Sequence, residues 1–109
     1  MAFETVKMEE ITEARRKAIA ESIRTISLEE MKALGEKMFA DGDHPWREKF
    51  FSFATENSGA TIYHATTHDS VQIIYCPAED KGVWFMAGTG MGPMQPKGLA
   101  ILKQIVEKG

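Results

Sequence analysis

Apolar residues recur at helical spacing through the first half of the chain and at strand spacing through much of the second. Met8, Ile11, Ala18, Ile19, Ile23 and Ile26, with the aliphatic stem of Arg15, trace one stripe of a helix over 8–25. Ser27-Leu28-Glu29-Glu30 then has the form of a capping box, in which the Ser27 hydroxyl takes an orphan N–H and Glu30 reaches back. It opens a second helix over 28–40, with Leu28, Met31, Leu34, Met38 and Phe39 on one face. Asp41-Gly42-Asp43 ends that helix. Asp43 caps a third over 45–57, where Pro45 sits in the first turn and its missing N–H is no loss. Trp46, Phe50, Phe53 and Ala54 form the apolar side, and Asn57-Ser58-Gly59 is the stop.

From residue 60 the residue types change. The runs 60–67, 70–76 and 82–87 are rich in β-branched and aromatic residues and are separated only by short turn-forming stretches. Connections this short join antiparallel neighbours. Leu99, Leu102, Ile105 and Val106 give a last helix over 96–107 its apolar stripe. The fold this predicts is α+β: a small three-stranded antiparallel meander with about three N-terminal helices and one C-terminal helix packed on one of its faces. Its core should hold Ile19, Ile23, Leu34, Phe50, Ile62, Ile74, Phe85, Leu99 and Leu102. A length of 109 residues fits one domain spanning 1–109.

Composition narrows the function classes. The formal charge is −3, and the one dense basic run, Arg15-Arg16-Lys17, is flanked by Glu9, Glu10, Glu13 and Glu21. That reads as a solvated, salt-bridged helix face and not as the basic stripe of a nucleic-acid binder. A single cysteine, Cys76, rules out an internal disulfide. Neither a secretory leader nor a membrane-spanning apolar run is present in the sequence, so a cytoplasmic protein without membrane contact is expected. Seven methionines and ten aromatic residues are many for this length; they serve as core filling or as an adaptable contact surface.

Two places carry candidate chemistry. The first is the 88–93 loop, Gly88-Thr89-Gly90-Met91-Gly92-Pro93, between a predicted strand and the last helix. Gly88, Thr89, Gly90 and Gly92 can turn backbone N–H groups toward an anion, and Lys97 in the following first turn adds a positive charge. The loop lacks the sixth-position glycine of a dinucleotide fingerprint and the Gly-Lys-Ser/Thr ending of a Walker loop. It equally suits a crossover that needs permissive backbone angles to turn a corner.

The second is the set His44, His64, His68 and Cys76, all metal-ligand types. On an extended chain His64 and His68 stand roughly 13 Å apart at about 3.3 Å per residue, too far for one ion. If the hairpin between them closes with two or four residues, His64 pairs with Ile73, and His64 and Cys76 face opposite sides; a three-residue turn reverses that relation. No metal and no cofactor is expected. Cys76 beside Pro77 reads as a buried small hydrophobe, and the neighbours His68, Asp69 and Ser70 diverge too much to act as a triad.

These features favour a non-enzymatic binding or protein-interaction module that pairs with itself as a homodimer or with another protein. The alternative is a small enzyme or ligand-binding protein that holds an anion at the 88–93 loop, with His64 or His68 as acid/base.

Overall fold

A computed structural model describes residues 10–40, 44–57, 59–86 and 90–108. Along the chain come α1 (Glu13–Ser22), β1 (Arg24–Ile26), α2 (Leu28–Met38), α3 (His44–Glu56), β2 (Ile62–Thr66), β3 (Gln72–Cys76), β4 (Lys81–Met86), β5 (Gly90–Pro93) and α4 (Pro96–Lys108). The strands form one antiparallel sheet in the order β1-β2-β3-β4-β5. The α+β class and the meander are as the sequence predicts. The predicted stop and cap at Asp41, Gly42 and Asp43, Ser58 of the third helix's stop, and the first helix before residue 10 lie outside the described residues. No helix among the described residues is long and apolar enough to cross a membrane.

Three strands were expected and the described residues form five, one added at each edge. The first addition takes the end of the predicted helix over 8–25. Thr12 caps α1, accepting the Arg15 N–H, and the helix ends at Ile23, which is already extended. Residues 24–26 then pair with β2. Three of the four residues Ile23 to Ile26 are β-branched and fit an extended chain. On a helix Ile23 and Ile26 would share a face. Here they go to opposite sides of the sheet, Ile23 against α1 and α4 and Ile26 against α2 and α3.

The second addition is β5, which takes the last four residues of the six-residue glycine-rich loop. Glycine is a poor strand former because it leaves the pleat unpacked. Trp84 on β4 supplies what the glycines lack: its indole lies across them, so a β-carbon at Gly92 would sit 3.0 Å from the ring and one at Gly90 3.7 Å. An aromatic residue paired across from an edge glycine stabilises it in this way. Met94 N–H donates to Gly82 C=O, so Gly92 and Gly90 also turn their backbone groups toward β4, and Met91 and Pro93 turn theirs outward. Pro93 has no N–H to offer at that open edge, where proline is tolerated.

Helices cover both faces of the sheet, and not one face as expected. Ile19, Ala65, Val71, Ile73, Tyr75, Leu102 and Ile105 form the core under α1 and α4. Ile26, Met31, Phe39, Phe50, Ala54, Ile62, Ile74 and Phe85 form the core under α2 and α3. Of the predicted core, Ile19, Phe50, Ile62, Ile74, Phe85 and Leu102 are buried, and Ile23, Leu34 and Leu99 are half-buried against it. The capping box at α2 forms as written: Glu30 N–H donates to Ser27 Oγ and Ser27 N–H to the Glu30 carboxylate, both at 3.1 Å.

One polar network fastens α1 to the β2–β3 turn. The Arg15 side chain is 4% exposed, and its Nη2 lies 2.7 Å from the Asp69 carboxylate. Thr67 Oγ1 donates to Asp69 and accepts the Val71 N–H at 2.9 Å. Ser70 takes a left-handed conformation (φ 66°), which closes a three-residue turn over 68–70. The Arg15 guanidinium beside Asp69 holds its carboxyl far below the usual carboxylate range.

Two outcomes follow from this packing. A methyl group at Gly35 would sit 2.8 Å from the buried Phe50 ring, where α2 and α3 cross. Gly35→Ala gains about 1 kcal/mol of helix propensity but overpacks the crossing at a cost of about 1–3 kcal/mol. A net loss of about 1 kcal/mol is expected, read as a lower urea midpoint at unchanged slope. Asp69 is depressed in the fold, so its contribution is complete above the unfolded value near 4 and is lost as pH falls below it. Asp69→Asn should therefore flatten the acid limb of stability against pH. It should cost about 2 kcal/mol at neutral pH, less than a fully buried pair because Asp69 is 39% exposed.

Candidate functional site

The sheet face under α2 and α3 is apolar over most of its area, and at one end it is not. There Arg24 on β1 pairs with His64 on β2, and Thr66 on β2 pairs with Gln72 on β3. Alternation along each strand puts Arg24, His64, Thr66 and Gln72 on the same side as Ile26, Ile62 and Ile74. His64 Nε2 lies 2.7 Å from Gln72 Oε1, which also accepts the Thr66 hydroxyl at 3.0 Å. A carbonyl oxygen only accepts, so Nε2 carries the proton and Nδ1 of the neutral ring is an acceptor. Burial pushes the His64 pKa below its ordinary value; the Gln72 bond opposes this, Arg24 adds to it and Glu30 opposes it. The neutral ring is the form present at pH 7.

Above this patch runs α2. Glu30, Ala33, Leu34 and Lys37, at i, i+3, i+4 and i+7, line a hollow of about 300 Å³ together with Arg24, Ile26 and His64. Arg24 Nη1 holds the Glu30 carboxylate at 3.0 Å. The Ser27 N–H first, and Arg24 next, lower the Glu30 pKa. Two cations and one anion therefore ring the hollow beside the neutral histidine.

A second concavity lies at the opposite margin of the same face, between α3 and β4–β5. This groove of about 550 Å³ has Phe53, Val83 and Met91 as its apolar surface, Pro45 and Pro93 among its walls, and Glu48, Lys49 and Glu56 on its rim. Its lining includes neither histidine nor cysteine.

The residues singled out from sequence are thus dispersed. Gly88 and Thr89 lie outside the described residues, and so does the His44 side chain. Gly90 and Gly92 stand in β5, and Gly92 also borders the α3–β5 groove. Lys97 is exposed in the first turn of α4. His64 is three strands away from β5, and its side chain is on the face opposite the Trp84 ring that covers the glycines. His68 is exposed in the turn, its Nδ1 3.9 Å from Asp69. Cys76 is fully buried. The register is Tyr63 with Tyr75 and His64 with Ile74, the three-residue-turn alternative, so His64 and Cys76 do share a face. No group of three His, Cys, Asp or Glu residues among those described is placed to hold a metal ion.

Sequence reasoning passed over Arg24, Gln72 and Lys37. Each is an ordinary surface residue until the register shows that Arg24 and Gln72 flank His64 on a core-facing side.

Proton NMR of the His64 ring should give a pKa below the ordinary value near 6.5. Removing the acceptor that favours the charged ring, in Gln72→Leu, should lower it further; an unchanged or higher value would contradict this environment. Because the folded value is depressed, the unfolded chain binds more protons between the two values. Stability therefore rises with pH through that window and levels off above it. Compared with protein-family models, curated proteins and solved structures, the chain matches none of them.

Proposed function

We propose that this chain is a non-enzymatic binding module that receives an extended segment of a partner protein in the groove between α3 and β5. The observation that carries this reading is the groove itself, an open concavity of about 550 Å³ with an apolar surface and a charged rim at a sheet edge. Exposed apolar concavities rimmed by polar groups are typical of interaction sites. Along α3 the groove extends from Pro45 to Glu56, about 17 Å at 1.5 Å per residue, the reach of about five extended residues. The outward backbone groups of Met91 offer such a segment a hydrogen-bonded anchor, as in strand addition. Pro93, with no N–H, limits that pairing and disfavours indiscriminate edge-to-edge association. Glu48 and Glu56 outnumber Lys49, so the fitting segment carries an apolar side chain beside a lysine or arginine.

A displayed random-peptide library selected on the protein tests this directly. The expected consensus pairs an apolar residue with a basic one, and the synthetic peptide should shift backbone amides of α3, β4 and β5 in NMR spectra. Glu48→Lys with Glu56→Lys should weaken it roughly tenfold through charge reversal on the rim. Peptides that map to α1 and α4, or an acidic consensus, would overturn the reading. If a second copy of this chain is the occupant, light scattering will show a dimer that the same two substitutions dissociate.

A further inference from the structure

We infer that the hollow between α2 and the β1–β2 end of the sheet is a separate ligand site, for a small carboxylate with an apolar body. It rests on none of the groove's residues. The first argument is the break in patterning. Across its middle this sheet face presents Ile26, Ile62, Ile74, Val83, Phe85 and Met91 to α2 and α3. At this end three adjacent strands instead supply Arg24, His64, Thr66 and Gln72. His64, Thr66 and Gln72 are half-buried and joined through the Gln72 carbonyl, with the exposed Arg24 at their margin, a polar cluster where the neighbouring positions of this face pack apolar side chains.

The second argument is the charge and shape of the space. Arg24 from β1 and Lys37 from α2 are positive, Glu30 from α2 is negative and His64 from β2 is neutral, which leaves one net positive charge around the hollow. The Arg24 contacts among the described residues are to Glu30 and to the Thr25 carbonyl, both through Nη1. A guanidinium has five N–H donors, so Nε and Nη2 have donors to give a carboxylate. Ile26, Ala33 and Leu34 form an apolar surface beside those charges. A singly charged anion with a short hydrocarbon body matches both parts. A phosphate dianion does not, because the Glu30 carboxylate repels the second charge and the apolar surface has nothing to hold. The volume, about 300 Å³, is at the small end for ligand pockets and suits a small molecule.

The test uses the full chain with three probes of known chemistry: butyrate, its neutral amide butyramide, and inorganic phosphate. Butyrate at tens of millimolar should shift amides at 24–26, 30–37 and 64 along one saturable curve, with butyramide and phosphate at least tenfold weaker. Bound butyrate should also raise the His64 pKa, since an anion beside the ring stabilises its charged form. Arg24 is exposed and Lys37 is exposed, so Arg24→Gln with Lys37→Gln should keep the fold and lose butyrate binding at least tenfold. Equal shifts from butyrate and butyramide would overturn the charge argument, and phosphate binding as tightly as butyrate would overturn the apolar one. Shifts confined to 45–56 and 83–93, or no saturation, would remove the site altogether.

Discussion

The constraint on which this structure depends is the double-sided burial of β3. Four consecutive residues, Ile73 to Cys76, are almost completely buried, and in a strand consecutive side chains point to opposite faces. Both faces of the sheet must then be covered. Ile73 and Tyr75 belong to the core under α1 and α4, and Ile74 to the core under α2 and α3. Near the crossing of α2 and α3, Phe39, Phe50 and Phe85 meet with ring centroids 5.1 to 5.6 Å apart, tilted or edge-on. Gly35 lets the two helices approach that closely.

Burial alone would not choose between adjacent registers, because β3 is apolar on both sides. The register is set at the β2–β3 turn. The left-handed Ser70 and the Thr67–Val71 contacts fix three turn residues, and Arg15 holds Asp69 from the α1 side. A one-residue slip would exchange the faces. It would move the β2 residues Ile62 and His64 toward α1 and α4 and put Tyr63 and Ala65 under α2 and α3. The polar end of the sheet therefore depends on the same Arg15–Asp69 contact that fastens the first helix, although the two lie on opposite sides of the strands.

What was legible in the sequence was whatever depends on near neighbours. The Ser27–Glu30 box, the periodic faces of α2, α3 and α4, and the three inner strands follow from contacts within a few residues. Both missed strands depend on partners far along the chain. Residues 24–26 continue a helical pattern until β2 offers them a ladder, and Gly90 and Gly92 read as a turn until Trp84 covers them. The second helix layer was foreshadowed in Ile73-Ile74-Tyr75-Cys76, a continuous apolar run that one-sided covering cannot satisfy. For the site, the residue types that draw attention in a sequence were histidine, cysteine and glycine. Gln72 acquires its meaning from a β2–β3 register that the sequence left open among turn lengths, Arg24 from the unforeseen pairing of β1 with β2, and Lys37 from the packing of α2 over that end of the sheet.

The positions of the two concavities follow from the sheet's outline. The inner strands β2, β3 and β4 have five, five and six residues, whereas the edge strands β1 and β5 have three and four. Helices α2 and α3 line the concavities at those short edges, α2 with β1 and α3 with β5. Short edge strands limit pairing with other chains, and here they also leave the outer flank of each helix without a full floor of side chains. At the β5 margin the unfilled space is bordered by Phe53, Val83, Met91 and Pro93, the face of β5 opposite the one Trp84 covers. At the β1 margin it is bordered by Arg24, His64 and the polar side of α2. The same economy in the edge strands thus yields an apolar groove at one margin and a charged hollow at the other, and their different linings suit them to different classes of ligand.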